Sequence, residues 1–149
     1  MAFDNDKTKE ANIELENRIE KDRDEWKNKI ASLINKIRNM NELSECQALM
    51  LSYRQIMLDK ISDFKSIIFK RNAAQDRYYK EMYKKYTLNY DIRLTSGEKN
   101  KFIQADLSAL IYQIKLLENH VEYYQGCIKT LDNTAFAIRN RIRLDDETQ

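Results

Sequence analysis

A row of apolar residues at alternating steps of four and three dominates the last third of this chain. Twelve consecutive positions of that spacing are apolar: Ile103, Leu107, Leu110, Ile114, Leu117, Val121, Tyr124, Ile128, Leu131, Ala135, Ile138 and Ile142. This heptad row, called the seam below, predicts one long helix that packs against other helices. Such a helix would be about 60 Å long, whereas a globule of this chain length has a radius of gyration of about 15 Å. We therefore expect partner chains to cover part of the seam.

The composition favours an all-α fold in a single domain. The 149 residues include no proline and two glycines, and 34% are charged, which permits helices and provides few turns for a sheet. The net charge of +2 indicates no particular partner. The polar start MAFDNDKTKE and the lack of any run of 18 apolar residues predict a soluble protein without membrane contact, retained in the cell that makes it. Cys46 and Cys127 have no zinc-like spacing and are expected to be reduced, packed thiols.

The apolar periodicity divides residues 1–149 into long amphipathic helices that form a helical hairpin or bundle. Ser44 is a candidate cap of the second helix, Thr95 with Glu98 forms a capping-box signature, and Asp106 is a candidate cap of the seam helix. The predicted segments are a flexible end (1–12), a first helix (13–41), a long helix (44–90), a connector with a short helix (91–105), a C-terminal oligomerisation helix (106–143) and an acidic tail (144–149).

The seam helix carries more apolar surface than a two-stranded coiled coil covers. Six further apolar or aromatic residues lie off the seam: Ile111, Tyr112, Leu116, Tyr123, Cys127 and Phe136. We expect one side to pack on the chain's own second helix and another on neighbouring subunits, closing a coiled-coil-like ring. The predicted oligomerisation residues are Leu110, Ile114, Leu117, Val121, Tyr124, Ile128, Leu131, Ile138 and Ile142. A purely intramolecular three-helix bundle is the alternative.

No pattern in the sequence supports catalysis. The single histidine, His120, has Glu118 and Glu122 two residues away on either side, and side chains two apart on a helix do not face each other. Phosphate-binding loops, zinc-protease motifs and nucleophile elbows do not occur. We expect no enzyme activity, no cofactor and no metal.

The segment from Lys70 to Arg93 combines positive charge with aromatic rings. It holds seven basic and three acidic residues and five of the nine tyrosines, the last of them Tyr90. Cations that follow phosphates beside rings on which bases stack are typical of single-strand binders. The predicted nucleic-acid-binding residues are Arg77, Lys80, Lys84, Lys85, Tyr83 and Tyr86. The alternative is that the tyrosines are core or subunit contacts and the lysines form a solvated helix face.

Two stretches, YYKEMYKKYTLNYDIRLTSGEKNKFIQADLSAL and VEYYQGCIKTLDNTAFAIRNRI, resemble the UvsY recombination mediators of myoviruses. The shared features are a basic aromatic helix end, a YDxRLT-like connector, an F-I-x-x-D turn, a VEY segment and an F-x-I-[KR]-N ending. The resemblance covers about residues 78–142. The family's DNA-contacting Lys-x-Arg pair falls on Lys80 and Met82, so here Lys84 and Lys85 would have to supply the second charge.

The resemblance implies a non-enzymatic protein that forms hexameric or heptameric rings through its C-terminal helical region and binds single-stranded DNA. It also implies contacts with the phage single-strand-binding protein and with the UvsX-like recombinase, in the cytoplasm of the infected bacterial host. Such a mediator promotes loading of the recombinase onto the covered strand during homologous recombination, repair and recombination-dependent replication. A structural or adaptor coiled-coil protein without a DNA role is the competing function, and membrane-surface binding is disfavoured because acids interrupt the cations.

Overall fold

The structure, a computed structural model, describes residues 2–88 and 93–148 and is built of helices. No strand occurs among those residues, so the predicted all-α class is confirmed. The elements are α1 (Asn5–Lys36), a 3₁₀ turn (Met40–Glu42), α2 (Leu43–Leu88), α3 (Ser96–Asp106) and α4 (Ser108–Thr148).

Helix boundaries differ from the predicted ones in α1 and in α4, which continues to Thr148 through residues predicted to form an acidic tail (144–149). Helix α1 begins at Asn5 rather than at residue 13, and it ends at Lys36 rather than at residue 41. The side chain of Asn39 caps the following 3₁₀ turn by accepting from the backbone N–H of Asn41 at 3.1 Å. Ser44 is not a cap, because it lies inside the first turn of α2. The predicted end of the second helix at residue 90, and Tyr90 itself, lie outside the described residues.

The seam is not carried by a single helix, because α3 and α4 are separated at Leu107. The Thr95 capping box is confirmed, since Thr95 Oγ1 accepts from the backbone N–H of Glu98 at 3.1 Å. Asp106 does not cap α4: its carboxylate accepts from the hydroxyl of Tyr86. The first turn of α4 is satisfied from α1 instead, where Asn5 Oδ1 accepts from the backbone N–H of Ala109 at 3.0 Å.

The chain divides into two compact units where the sequence predicted one domain. The first unit comprises Met1–Arg18 and Phe64–Asn119, which brings together the start of α1, the end of α2, α3 and the start of α4. Inside it Asn12 is buried, donating to the carbonyl of Ala109 at 2.9 Å and accepting from Gln113 at 3.1 Å. Residues 5–12, predicted to be flexible, are therefore helical and attached to α4.

The second unit comprises Ile19–Asp63 and His120–Gln149, so parts of α1, α2 and α4 share one core. Trp26 packs edge-on against Tyr53 with 5.5 Å between ring centroids, and Arg54 pairs with Asp132 at 3.0 Å. Cys46 and Cys127 are buried free thiols. The apolar core side chains of this unit are Ile19, Trp26, Leu33, Leu43, Cys46, Met50, Met57, Ile61, Val121, Tyr124, Cys127, Leu131 and Ile138.

The seam is buried within the single chain. Nine of its twelve residues are buried, and Ile128, Ala135 and Ile142 are half-buried. In this fold, most of the residues predicted to mediate oligomerisation thus form the chain's own cores, as in the intramolecular alternative. Of the off-seam residues, Tyr112 and Phe136 are exposed while Cys127 is buried. A contact with another copy of the chain would use such exposed apolar residues.

Candidate functional site

The tyrosine-rich end of α2 packs against α3 in the first unit. The hydroxyl of Tyr79 donates to Asn100 Oδ1 at 3.1 Å, and the ring of Tyr86 stacks on Phe102 with 5.7 Å between centroids. The Tyr86 hydroxyl also donates to Asp106. These contacts attach α3 to α2 and leave Tyr79 and Tyr86 half-buried. Both rings therefore have a packing role, whatever they bind.

Tyr83 brings α2 together with a lysine of α3. The Lys99 ammonium lies 4.9 Å from the centre of the Tyr83 ring, within the range of a cation–π contact. It also donates to Thr87 Oγ1 at 3.0 Å, and Tyr79 stacks against Tyr83 with 6.3 Å between centroids. Sequence reasoning missed Lys99. The Thr95 capping box predicts that Lys99 lies on α3. Its contact with Tyr83, however, depends on the packing of α3 against α2, which the sequence motif does not contain.

Arg77, Lys80 and Lys84 form an exposed row along one side of α2, called the cation row below. Their steps of three and four place successive side chains on neighbouring turns of the same helix face. None of the three forms an ion pair with another described residue. The row thus presents three exposed positive charges without an ion pair among the described residues, and Lys99 brings a further cation to the nearby ring of Tyr83.

Lys85 and Tyr86 do not belong to the cation row. Each helical residue turns the chain by about 100°, so Lys85 points away from Lys84. Lys85 and Tyr86 line a cleft of about 450 Å³ on another side of α2, together with Phe3, Tyr78 and Met82. The six residues predicted to bind nucleic acid therefore separate into two groups. Met82, where the predicted resemblance to UvsY would place an arginine, is half-buried in this cleft.

A second cluster of polar groups lies inside the second unit around Asp22. Its carboxylate accepts from the hydroxyl of Tyr124, from Lys60 Nζ at 3.1 Å and from His120 Nε2 at 3.0 Å. The other ring nitrogen of His120, Nδ1, accepts from Arg23 Nε at 3.4 Å. Burial tends to raise the pKa of Asp22, but the hydrogen bonds from Tyr124, Lys60 and His120 outweigh it and hold that pKa below its ordinary value.

The same cluster keeps His120 neutral. Only 1% of its surface is exposed, and burial lowers its pKa despite the neighbouring Asp22 carboxylate, which acts in the opposite direction. A neutral ring can donate from Nε2 to Asp22 and accept at Nδ1 from Arg23, which matches both contacts. Burial also raises the pKa of Tyr124 and raises that of Tyr123 to about 12, so both phenols stay protonated. This arrangement stabilises the core and offers no exposed nucleophile.

Two searches of the described residues bear on other kinds of site. No group of three or more His, Cys, Asp or Glu side chains there is placed to hold a metal ion. None of the described helices combines the length and apolar character that a membrane span requires.

Comparison with family models, with curated protein sequences and with solved structures finds no match for the chain. The resemblance to the UvsY mediators therefore stays a prediction.

Proposed function

We propose that this protein binds single-stranded DNA as a homo-oligomer and promotes loading of a phage recombinase onto a strand covered by single-strand-binding protein. It would act in homologous recombination, repair and recombination-dependent replication in the cytoplasm of the infected host. The observation that carries the proposal is the exposed cation row Arg77, Lys80 and Lys84, flanked by Tyr83 and Lys99. The predicted resemblance to UvsY-like mediators supports the row through Lys80 alone, because the second position of the family's Lys-x-Arg pair falls on Met82, outside the row.

The cation row suits the backbone of a single strand better than it suits a folded partner. Uncompensated lysines and arginines neutralise phosphates and release counterions, which favours binding at low salt. Lys99 lies over the ring of Tyr83, so a phosphate held by Lys99 would bring the strand across that ring. Contacts between the row and phosphates would position the strand without recognising its base sequence, as expected for a protein that must bind any exposed strand.

Assembly would convert this weak site into a useful one. A patch of three or four cations binds poorly at physiological salt, but several copies joined in one oligomer act on the same strand at high effective concentration. A strand drawn around such an oligomer is less available to the competing single-strand-binding protein. The recombinase then finds free DNA on which to start a filament.

The test of DNA binding is fluorescence anisotropy with labelled oligothymidine at two salt concentrations. Replacing Lys80 and Lys84 with glutamine should weaken binding and reduce the salt dependence by about 0.7 in slope for each lost phosphate contact. The matched control is Lys115→Gln with Lys129→Gln, which removes two exposed lysines of α4. Equal binding by both double variants would contradict the proposed site.

The mediator step has its own test. The wild-type protein should lower the salt concentration needed to strip a single-strand-binding protein from DNA, and the Lys80/Lys84 variant should not. If the wild-type protein binds DNA but leaves that salt concentration unchanged, the mediator role is wrong while DNA binding stands.

The second candidate function is a structural or adaptor protein without a DNA role. The packing of Tyr79 and Tyr86 onto α3 favours it, because these rings then need no ligand to explain them. An adaptor would show no salt-sensitive binding of oligothymidine, which separates the two candidates directly.

A further inference from the structure

We infer that the cleft lined by Phe3, Tyr78, Met82 and Tyr86 takes one base of the bound strand. The inference rests on the proposed binding of single-stranded DNA and extends it from phosphate contacts to a base-binding pocket. With about 450 Å³ the cleft falls in the size range of small-ligand sites. The residues at and just before the start of α1, the end of α2 and the end of α3 line it, all within the first unit.

The walls of the cleft are aromatic and apolar. Phe3 and Tyr78 meet with 5.1 Å between ring centroids at an interplanar angle of 48°, and Met82 and Tyr86 lie one and two helical turns further along α2. All four side chains are half-buried. A flat heteroaromatic ring gains from such walls through stacking and dispersion contacts, and every base has such a face.

The polar groups around the cleft favour a base over a phosphate inside it. The carboxylates of Glu81 and Asp106 lie at the cleft and would repel a phosphate. They can instead accept from the N–H groups on the edge of a base, as carboxylates do with cytosine N4.

Two cations border the cleft. Lys85 is exposed and lines the cleft. The guanidinium of Arg77, a member of the cation row, lies 5.0 Å from the centre of the Tyr78 ring that forms one wall. Arg77 therefore joins the row to the cleft. A strand that follows the row can turn one base into the cleft while its phosphates stay near Arg77 and Lys85.

The experiment separates base binding from phosphate binding by using two strands. One is a labelled oligodeoxycytidine, and the other has the same length and sugar–phosphate backbone but abasic residues in place of every base. The substitutions are Phe3→Leu and Tyr78→Leu, which keep apolar volume and remove the ring. The matched control is Phe69→Leu, an exposed aromatic of α2 that is 76% exposed and does not line the cleft. Circular dichroism of each variant verifies that the helices are retained.

We expect Phe3→Leu and Tyr78→Leu to weaken binding of oligodeoxycytidine about ten-fold and to leave binding of the abasic strand unchanged. Phe69→Leu should change neither. The inference is wrong, although DNA binding stands, if both cleft variants bind oligodeoxycytidine as tightly as the wild-type protein does. It is also wrong if they lose the same affinity for the abasic strand as for oligodeoxycytidine. If the wild-type protein binds neither strand, the proposed function itself fails. If Tyr78→Leu loses helix content, Phe3→Leu alone tests the inference, because Phe3 lies before the start of α1.

Discussion

Asp22 shows how one carboxylate organises a helical core at the scale of single residues. It accepts from Tyr124 and His120 on α4 and from Lys60 on α2, all within the second unit. Among the described residues no buried side-chain nitrogen or oxygen lacks a hydrogen-bond partner. A polar cluster that is fully satisfied costs little to bury and favours one arrangement of the helices over others. His120, unremarkable in the sequence, thereby becomes part of the second unit's core.

The first prediction concerns the acid sensitivity of this cluster. In the folded state the pKa of His120 lies below the ordinary value of 6.5. Just below pH 6.5 the histidine is therefore protonated in the unfolded state and still neutral in the folded state. Stability should therefore fall as the pH drops below about 6.5, by at most about 1.4 kcal/mol per pH unit. His120 is the chain's single histidine, so it should dominate between pH 7 and pH 5.5. Urea unfolding across that range measures the effect.

His120→Gln is the matched variant for this prediction, because its amide can still donate to Asp22 but does not titrate. Its stability should be lower at pH 7 and nearly constant down to pH 5.5. A wild-type stability that stays constant or rises over the same interval would show that His120 is not held neutral. Below pH 3.8 a further loss is expected, since protonation then removes the stabilised carboxylate of Asp22, whose folded pKa is depressed.

The helices behave as elements whose ends are decided by contacts made far away in the sequence. Asp106 looks like the natural cap of α4, yet its carboxylate accepts from Tyr86, and Asn5 satisfies the backbone N–H of Ala109 instead. Either side chain has the chemistry of a cap. The choice between them follows from the packing of α1 against α4 in the first unit, which a local motif does not contain.

The second prediction uses Gly126, which lies in the middle of α4. A Cβ added there would meet no heavy atom within 4 Å outside the adjoining turns of its own helix, so the site has room for a methyl group. Gly126→Ala should stabilise the protein by about 0.5–1 kcal/mol, because alanine loses less backbone freedom in a helix than glycine. Gly97→Ala is the comparison: it lies in the first turn of α3, where helix propensity matters less and the gain should be smaller. Destabilisation by Gly126→Ala in thermal unfolding would mean that α4 meets another surface at this point.

At the scale of the whole molecule, any assembly has to use surface that the chain's own cores leave free. The seam is largely buried, but Leu51 is 71% exposed and Phe136 is 60% exposed in the second unit. Leu51 lies at the rim of a groove formed with Met50, Leu131 and Ala135. Large exposed apolar side chains beside such a groove are typical of sites where another protein surface binds. In the proposed homo-oligomer that surface is a second copy.

The third prediction tests this placement. Leu51→Glu should reduce the particle mass measured by light scattering while leaving helix content and thermal stability nearly unchanged, because the position is exposed in the single chain. Leu131→Ala should instead lower the free energy of unfolding by about 2–5 kcal/mol, because Leu131 is buried in the core. An unchanged oligomer mass in Leu51→Glu and in Phe136→Glu would move the contact elsewhere, and a monomeric wild-type protein would refute the assembly.

The sequence alone determined that this chain folds into long helices, and it located their apolar faces. Both follow from a repeat of 3.6 residues per turn, which relates neighbours within a few positions, as in the run from Ile103 to Ile142. It also located the exposed cations Arg77, Lys80 and Lys84. Tertiary structure alone decided what covers the seam, that Lys85 faces a cleft with Phe3, and that Lys99 reaches Tyr83. Periodicity specifies that a face must be buried but not against which surface, since segments about 80 to 100 residues apart meet only when the whole chain packs.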